Sequence, residues 1–217
     1  MNKLSLRERQ AQLREDLVLE TVNGLLAEKG YDLMTIDEVA ATVGIAKPSL
    51  YKIYDSKEAL AAAAMVRLLE RMLEAARAIP QELGPAARLR ALLRWALELR
   101  MRGGLPLLPS TRSTLREALM RHKPYMKLLM QVTDLVGAWI TDAQARGELN
   151  AALPPEVLLY TLFARSCDPV PDYLRLGGTY SDAQVVEMML ATAFDGLGGG
   201  AAAGAGQRKT VARRKAA

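Results

Sequence analysis

Apolar residues recur along this chain with the period of a helix. Val18, Val22, Leu25 and Leu26 stand at i, i+4, i+7 and i+8, and Leu89, Leu92, Leu93 and Ala96 at i, i+3, i+4 and i+7. Leu128, Val132, Leu135 and Trp139 repeat the pattern, as do Val185, Met188, Met189 and Thr192. Steps of three and four place side chains on one stripe of an α-helix. No segment shows strand alternation closed by an Asn-Gly type of turn. The breaks predict helices over about 6–28, 35–43, 47–53, 56–78, 85–103, 110–122, 124–147, 154–167 and 181–197, with 168–180 the longest loop. Lys29-Gly30 ends the first, Thr35 with Glu38 reads as a capping box for the second, and Ser56 is a good N-cap for the fourth.

The chemistry-bearing feature lies in residues 35–53: a short helix, a turn at Gly44, and a second short helix. Ala40, Val43, Ile45 and Leu50 would lock the pair together. This arrangement presents its second helix to the DNA major groove. That helix offers Lys47, Pro48, Ser49, Tyr51 and Lys52, and Pro48 suits a first turn, where a missing N–H costs nothing. Lys57 falls in the first turn of the next helix, where free backbone N–H groups and a cation suit a phosphate. On periodicity alone, a helical hairpin with a solvated basic face fits equally well.

Charge qualifies that reading. The net charge is +5, but residues 196–217 hold five basic side chains and no acid, so residues 1–195 carry 24 basic and 24 acidic groups. Residues 1–60 hold 8 basic and 10 acidic groups, a net of −2, so DNA affinity must rest on local placement of lysines. The glycine- and alanine-rich start of 196–217 reads as a flexible basic tail, either an inert solubilising end or a weak tether to DNA backbone. One cysteine excludes an internal disulfide, and one histidine leaves no His-rich metal set. No paired carboxylates, phosphate loop or metal spacing appears, so no enzyme activity, metal or cofactor is expected. No apolar run approaches a membrane span, and Met1 to Arg9 lack a signal core, so a cytoplasmic protein without membrane partners is expected.

Residues 26–60 resemble the N-terminal domain of the TetR (tetracycline-repressor) family. Gly30-Tyr31, Thr35-Ile36, Ile45, Lys47, Ser49-Leu50-Tyr51 and Ser56-Lys57-Glu58-Ala59-Leu60 follow its pattern in order and spacing. Ile53 departs from it, since histidine or tyrosine is more usual there and isoleucine cannot bond a phosphate. Beyond residue 62 only the helical layout and the Arg146-Gly147-Glu148-Leu149 turn fit. The resemblance implies an all-α fold: a three-helix helix-turn-helix DNA-binding domain (1–60), a helical effector-binding and dimerisation domain (61–195), then the tail (196–217). It implies a homodimeric regulator, usually a repressor, that binds a double-stranded DNA operator and responds to a small molecule. Thr35, Lys47, Ser49, Tyr51 and Lys57 would touch DNA; an N-terminal arm with Lys3, Arg7 and Arg9 either compensates for the clamp lost at Ile53 or is frayed.

An effector needs a cavity. The expected lining is Met65, Leu69, Met72, Leu92, Trp95, Ala96, Leu99, Leu108, Thr111, Leu115, Met126, Met130 and Thr133. No charged residue interrupts this set, so an apolar or aromatic ligand is expected to release the repressor; ordinary core packing is the plainer reading of the same stripe. Tyr160, Phe163 and Ala164 on one helix and Val185, Val186, Met189 and Ala193 on another are the expected dimer faces, with monomer core as the alternative. His122 is expected at a helix C-terminus and Cys167 as a small buried group at a helix end. The competing function is a TetR-like helical interaction protein without ligand-regulated DNA binding, which Ile53 and the −2 balance favour.

Overall fold

Capping chemistry sets the helix boundaries. A computed structural model describes residues 5–106 and 113–197, and among them every regular element is a helix. Helix α1 (Leu6–Leu33) opens with a complete capping box between Ser5 and Glu8. Its helical path breaks at Gly30, where φ is 78° and ψ 174°, which is where the sequence placed its end. In α2 (Ile36–Val43) the Thr35 hydroxyl accepts from the Glu38 N–H at 3.2 Å. The reciprocal half of that box is missing because the Glu38 carboxylate pairs with Lys29 instead. Gly44, left-handed at φ 74°, closes α2, and α3 (Lys47–Tyr51) follows with Pro48 in its first turn. Ser56 accepts from the Ala59 N–H at 3.0 Å and starts α4 (Lys57–Ala78).

The second half comprises α5 (Pro85–Met101), α6 (Thr114–Arg121), α7 (Lys123–Ala145), α8 (Pro155–Ser166), α9 (Val170–Leu176) and α10 (Asp182–Phe194). Two local expectations change here. Segment 168–180 is not all loop: the Asp168 carboxylate accepts from the Val170 N–H at 2.9 Å, and α9 starts there despite its neighbouring prolines. Proline is compatible with a first helical turn, so Pro169 and Pro171 do not block it. His122 ends α6, as expected, but its side chain serves the next helix: Nδ1 accepts from the Tyr125 N–H at 3.3 Å. The imidazole therefore acts as the N-cap of α7.

Three buried clusters hold these helices. The first joins α1–α3 to the start of α4 and takes in Leu99, Leu115 and Leu119. The second packs α4, α5, α7 and α8 around Leu69, Leu92, Val136 and Leu159. The third packs Leu93, Leu97 and Met101 of α5 against Val185, Val186, Met189 and Leu190 of α10. Helix α4 is common to the first two, so packing continues across residue 60. The basic part of the tail lies outside the described residues.

Gly44 gives a backbone test of this frame. A Cβ there meets nothing within 4 Å, so Gly44→Ala adds only the cost of a left-handed L-residue. That cost is about 1–2 kcal/mol. Denaturant unfolding should show a lower midpoint with an unchanged slope.

Candidate nucleic-acid interface and effector cavity

Helix α3 buries one side chain and exposes the rest. Leu50, 1% exposed, plugs the head core, while Lys47, Pro48, Ser49, Tyr51 and Lys52 are all exposed. No acid lies on α3. Among the described residues the only carboxylate paired to it is Asp37 of α2, which holds the Lys47 ammonium at 2.9 Å, with both side chains exposed. Water screens such an exposed pair, so exchanging Asp37 for a phosphate costs little.

Thr35 and Lys57 flank α3 at two helix starts. Lys57 lies over the Tyr31 ring at 4.3 Å, and its ammonium donates to the Asp32 carbonyl at 3.4 Å. Tyr31 is buried and donates its hydroxyl to Glu58 at 2.6 Å. Burial first, then that carboxylate, pushes the Tyr31 phenol up to about 12, and the same hydrogen bond holds Glu58 below the usual carboxylate range. The Tyr31–Glu58 bond therefore pins the end of α1 to the first turn of α4, beside Lys57. Ile53 is 56% exposed just beyond α3 and packs in no core. Arg7 and Arg9 lie in the first turn of α1, and Lys3 lies outside the described residues.

A cavity of about 150 Å³ lies between α4, α5, α7 and α8. Met65, Leu69, Met72, Leu92, Trp95 and Ala96 of the expected set line it. The others do not come together there. Leu99 and Leu115 pack in the head-side core, because α5 and α6 reach back toward α1. Met130 is 60% exposed, and Met126 and Thr133 are half-buried beside the cavity helices without lining it; Thr133 spends its hydroxyl on the Leu129 carbonyl. Leu108 and Thr111 lie outside the described residues.

The reading of the sequence missed the α8 wall. Phe163, expected at a dimer face, lines the cavity together with Cys167, expected only as a small buried group, and with Leu162 and Ser166, which belong to none of the expected sets. Tyr125 adds a phenol from α7, pushed up by burial and by Cys167. The Cys167 thiol lies 4.0 Å from the Pro106 carbonyl.

The expected dimer set divides in two. Val185, Val186 and Met189 are 0%, 3% and 2% exposed and pack against α5 of the same chain, so they are core and not surface. Phe163 turns to the cavity, and Ala193 is half-buried against the third cluster. Tyr160, 68% exposed, and Ala164 remain at the surface, with Val157 one turn earlier.

Residues 18–64 match the family of bacterial regulatory proteins, tetR family. Over 44 residues the chain is 43% identical to the biofilm operon icaADBC HTH-type negative transcriptional regulator IcaR of Staphylococcus epidermidis, covering 20% of this chain and 24% of that one. The match thus spans about a quarter of that regulator's length. The whole fold is similar to the transcriptional regulator FadR from Bacillus subtilis, solved with stearoyl-CoA, at a TM-score of 0.60 and 16% identity, covering 84% of this chain and 99% of that one. It is also similar to AibR, solved with isovaleryl coenzyme A and operator DNA, at a TM-score of 0.58 and 22% identity over 83% of this chain and 98% of that one. At these identities the likeness is one of fold. Among the described residues no helix is long and apolar enough to cross a membrane.

Proposed function

We propose that this protein, whose residues 18–64 match the tetR family of bacterial regulatory proteins, is a DNA-binding transcriptional regulator, a homodimeric repressor released by a small apolar or aromatic molecule. One observation carries the reading: α4 belongs to both functional parts. Its Leu60, Ala61, Ala64 and Leu68 pack in the head core, and its Met65, Leu69 and Met72 line the cavity. A ligand that shifts α4 must shift the head, and it acts only through a difference in affinity between the two head positions.

The cavity sets ligand size. A void of about 150 Å³ holds a benzene-sized group. An isovaleryl group, as named for AibR's ligand, is of that order, and a stearoyl chain, as named for FadR's, is far larger. The preferred ligand is therefore an aromatic ring or a short branched acyl group. The dimer is proposed to form through the exposed α8 face of Val157, Tyr160 and Ala164.

Binding of the full chain to the region upstream of its own gene, followed by anisotropy across a salt series, tests the reading. Lys57→Ala should weaken all operator variants by a similar factor and reduce the salt slope by about one phosphate contact. Loss on a single variant only would give Lys57 a base-reading role instead, and salt-insensitive or absent binding would favour the helical interaction protein.

A further inference from the structure

A second cleft lies where the head meets the effector half. It holds about 510 Å³ and is walled by Thr21, Gly24 and Glu28 of α1, Thr42 of α2, the end of α5 at Arg100 and Gly103, and Asp172 and Arg175 of α9. Asn23 ties two of these walls together by donating to the Gly104 carbonyl at 2.7 Å.

Arg100 is the unusual group. Its side chain is 5% exposed, yet its one partner among the described residues is Asp172, which accepts from Nη2 at 2.5 Å and is itself half exposed. Nε and Nη1 are buried with no partner among the described residues. A buried guanidinium left with open donors is costly, because nothing replaces the water it gave up. Arg175 lines the same cleft. Its Nε lies 3.1 Å from the Asp182 carboxylate in an ion pair, and Nη1 donates to the Met101 carbonyl at 3.3 Å, which leaves Nη2 without a protein acceptor among the described residues.

We propose that this interdomain cleft is a binding site for a small oxyanion, a carboxylate or phosphate group, held by the open donors of Arg100 with Arg175 beside it. Guanidinium groups match such oxygens in charge and geometry. The site is separate from the apolar cavity, although Leu105 lines both. Its occupant touches the head and the effector half at once.

Thermal unfolding of the full chain tests this without DNA or effector. Inorganic phosphate and acetate are titrated separately at constant ionic strength, with chloride as the reference. At ten times its Kd, a probe should raise Tm by about 3–5 °C. A rise with both probes marks general oxyanion recognition, and a rise with one identifies the favoured group. The rise should vanish in Arg100→Met and shrink in Arg175→Gln, an exposed change that leaves folding intact if the first variant folds poorly. No shift with either probe overturns the proposal. A shift that survives in Arg175→Gln and in folded Arg100→Met overturns it too, since the anion would then sit elsewhere, such as on the reading head.

Discussion

Met189→Glu should unfold the protein and not merely split a dimer. Met189 is 2% exposed in the third cluster, between Val185 and Val186 on α10 and Leu93 and Leu97 on α5. A carboxylate placed there loses its water and gains no cation in return. The cost is about 4 kcal/mol or more. Typical domains hold about 5–15 kcal/mol in all. Thermal unfolding followed by circular dichroism should show Tm lower by about 10 °C or more. A folded monomer of unchanged Tm would return Met189 to an intermolecular surface.

Tyr160→Glu is the matched contrast. Tyr160 is 68% exposed on α8, so the monomer loses little when it changes. In a two-fold dimer the substitution meets its own copy or near neighbours, and like charges then face each other. Sedimentation should show monomers at unchanged Tm, with operator affinity reduced because two half-sites need two linked heads. A dimer that survives the change places the interface on another face.

The head was the most legible part of the sequence, because its chemistry is local. Thr35, Gly44 and Ser56 act within three or four residues of themselves, and α3 needs only Leu50 to orient it. The effector half was less legible, because its roles depend on which helix lies opposite. Val185 and Met189 formed a correct helical stripe, but a stripe does not say whether its partner is α5 or a second chain. Phe163 and Cys167 were misassigned or passed over for the same reason. The prolines on either side of Val170 hid α9, since they look like loop composition until the bond from the Val170 N–H to Asp168 is seen. Arg100 left a signal that composition arguments overlook. Leu89, Leu93, Ala96 and Arg100 continue one stripe at steps of four, three and four, and a charged residue at such a core position marks a buried polar site.

Ala96→Phe should uncouple the effector from the operator. Ala96 is 5% exposed on α5 and lines the cavity beside Leu92, Leu93 and Trp95. A phenyl ring there occupies volume of the order that the cavity of about 150 Å³ provides. Operator affinity should stay near that of the parent, because the head contacts on α3 and at Lys57 are untouched. The effector should lose at least about 100-fold in potency, since a ligand excluded from its site cannot bias the two head positions. Trp95 supplies the direct readout. In a Trp139→Phe background it is the sole tryptophan. Trp139 lies away from the cavity wall, with the Arg88 guanidinium 6.0 Å from its ring, so its loss leaves the site intact. Aromatic and short-acyl probes should quench Trp95 in that background and fail to do so once Ala96→Phe is added. Quenching that persists at the same concentrations would move the ligand out of this cavity. Retained release without quenching would instead move the trigger away from α4, where the proposed coupling resides.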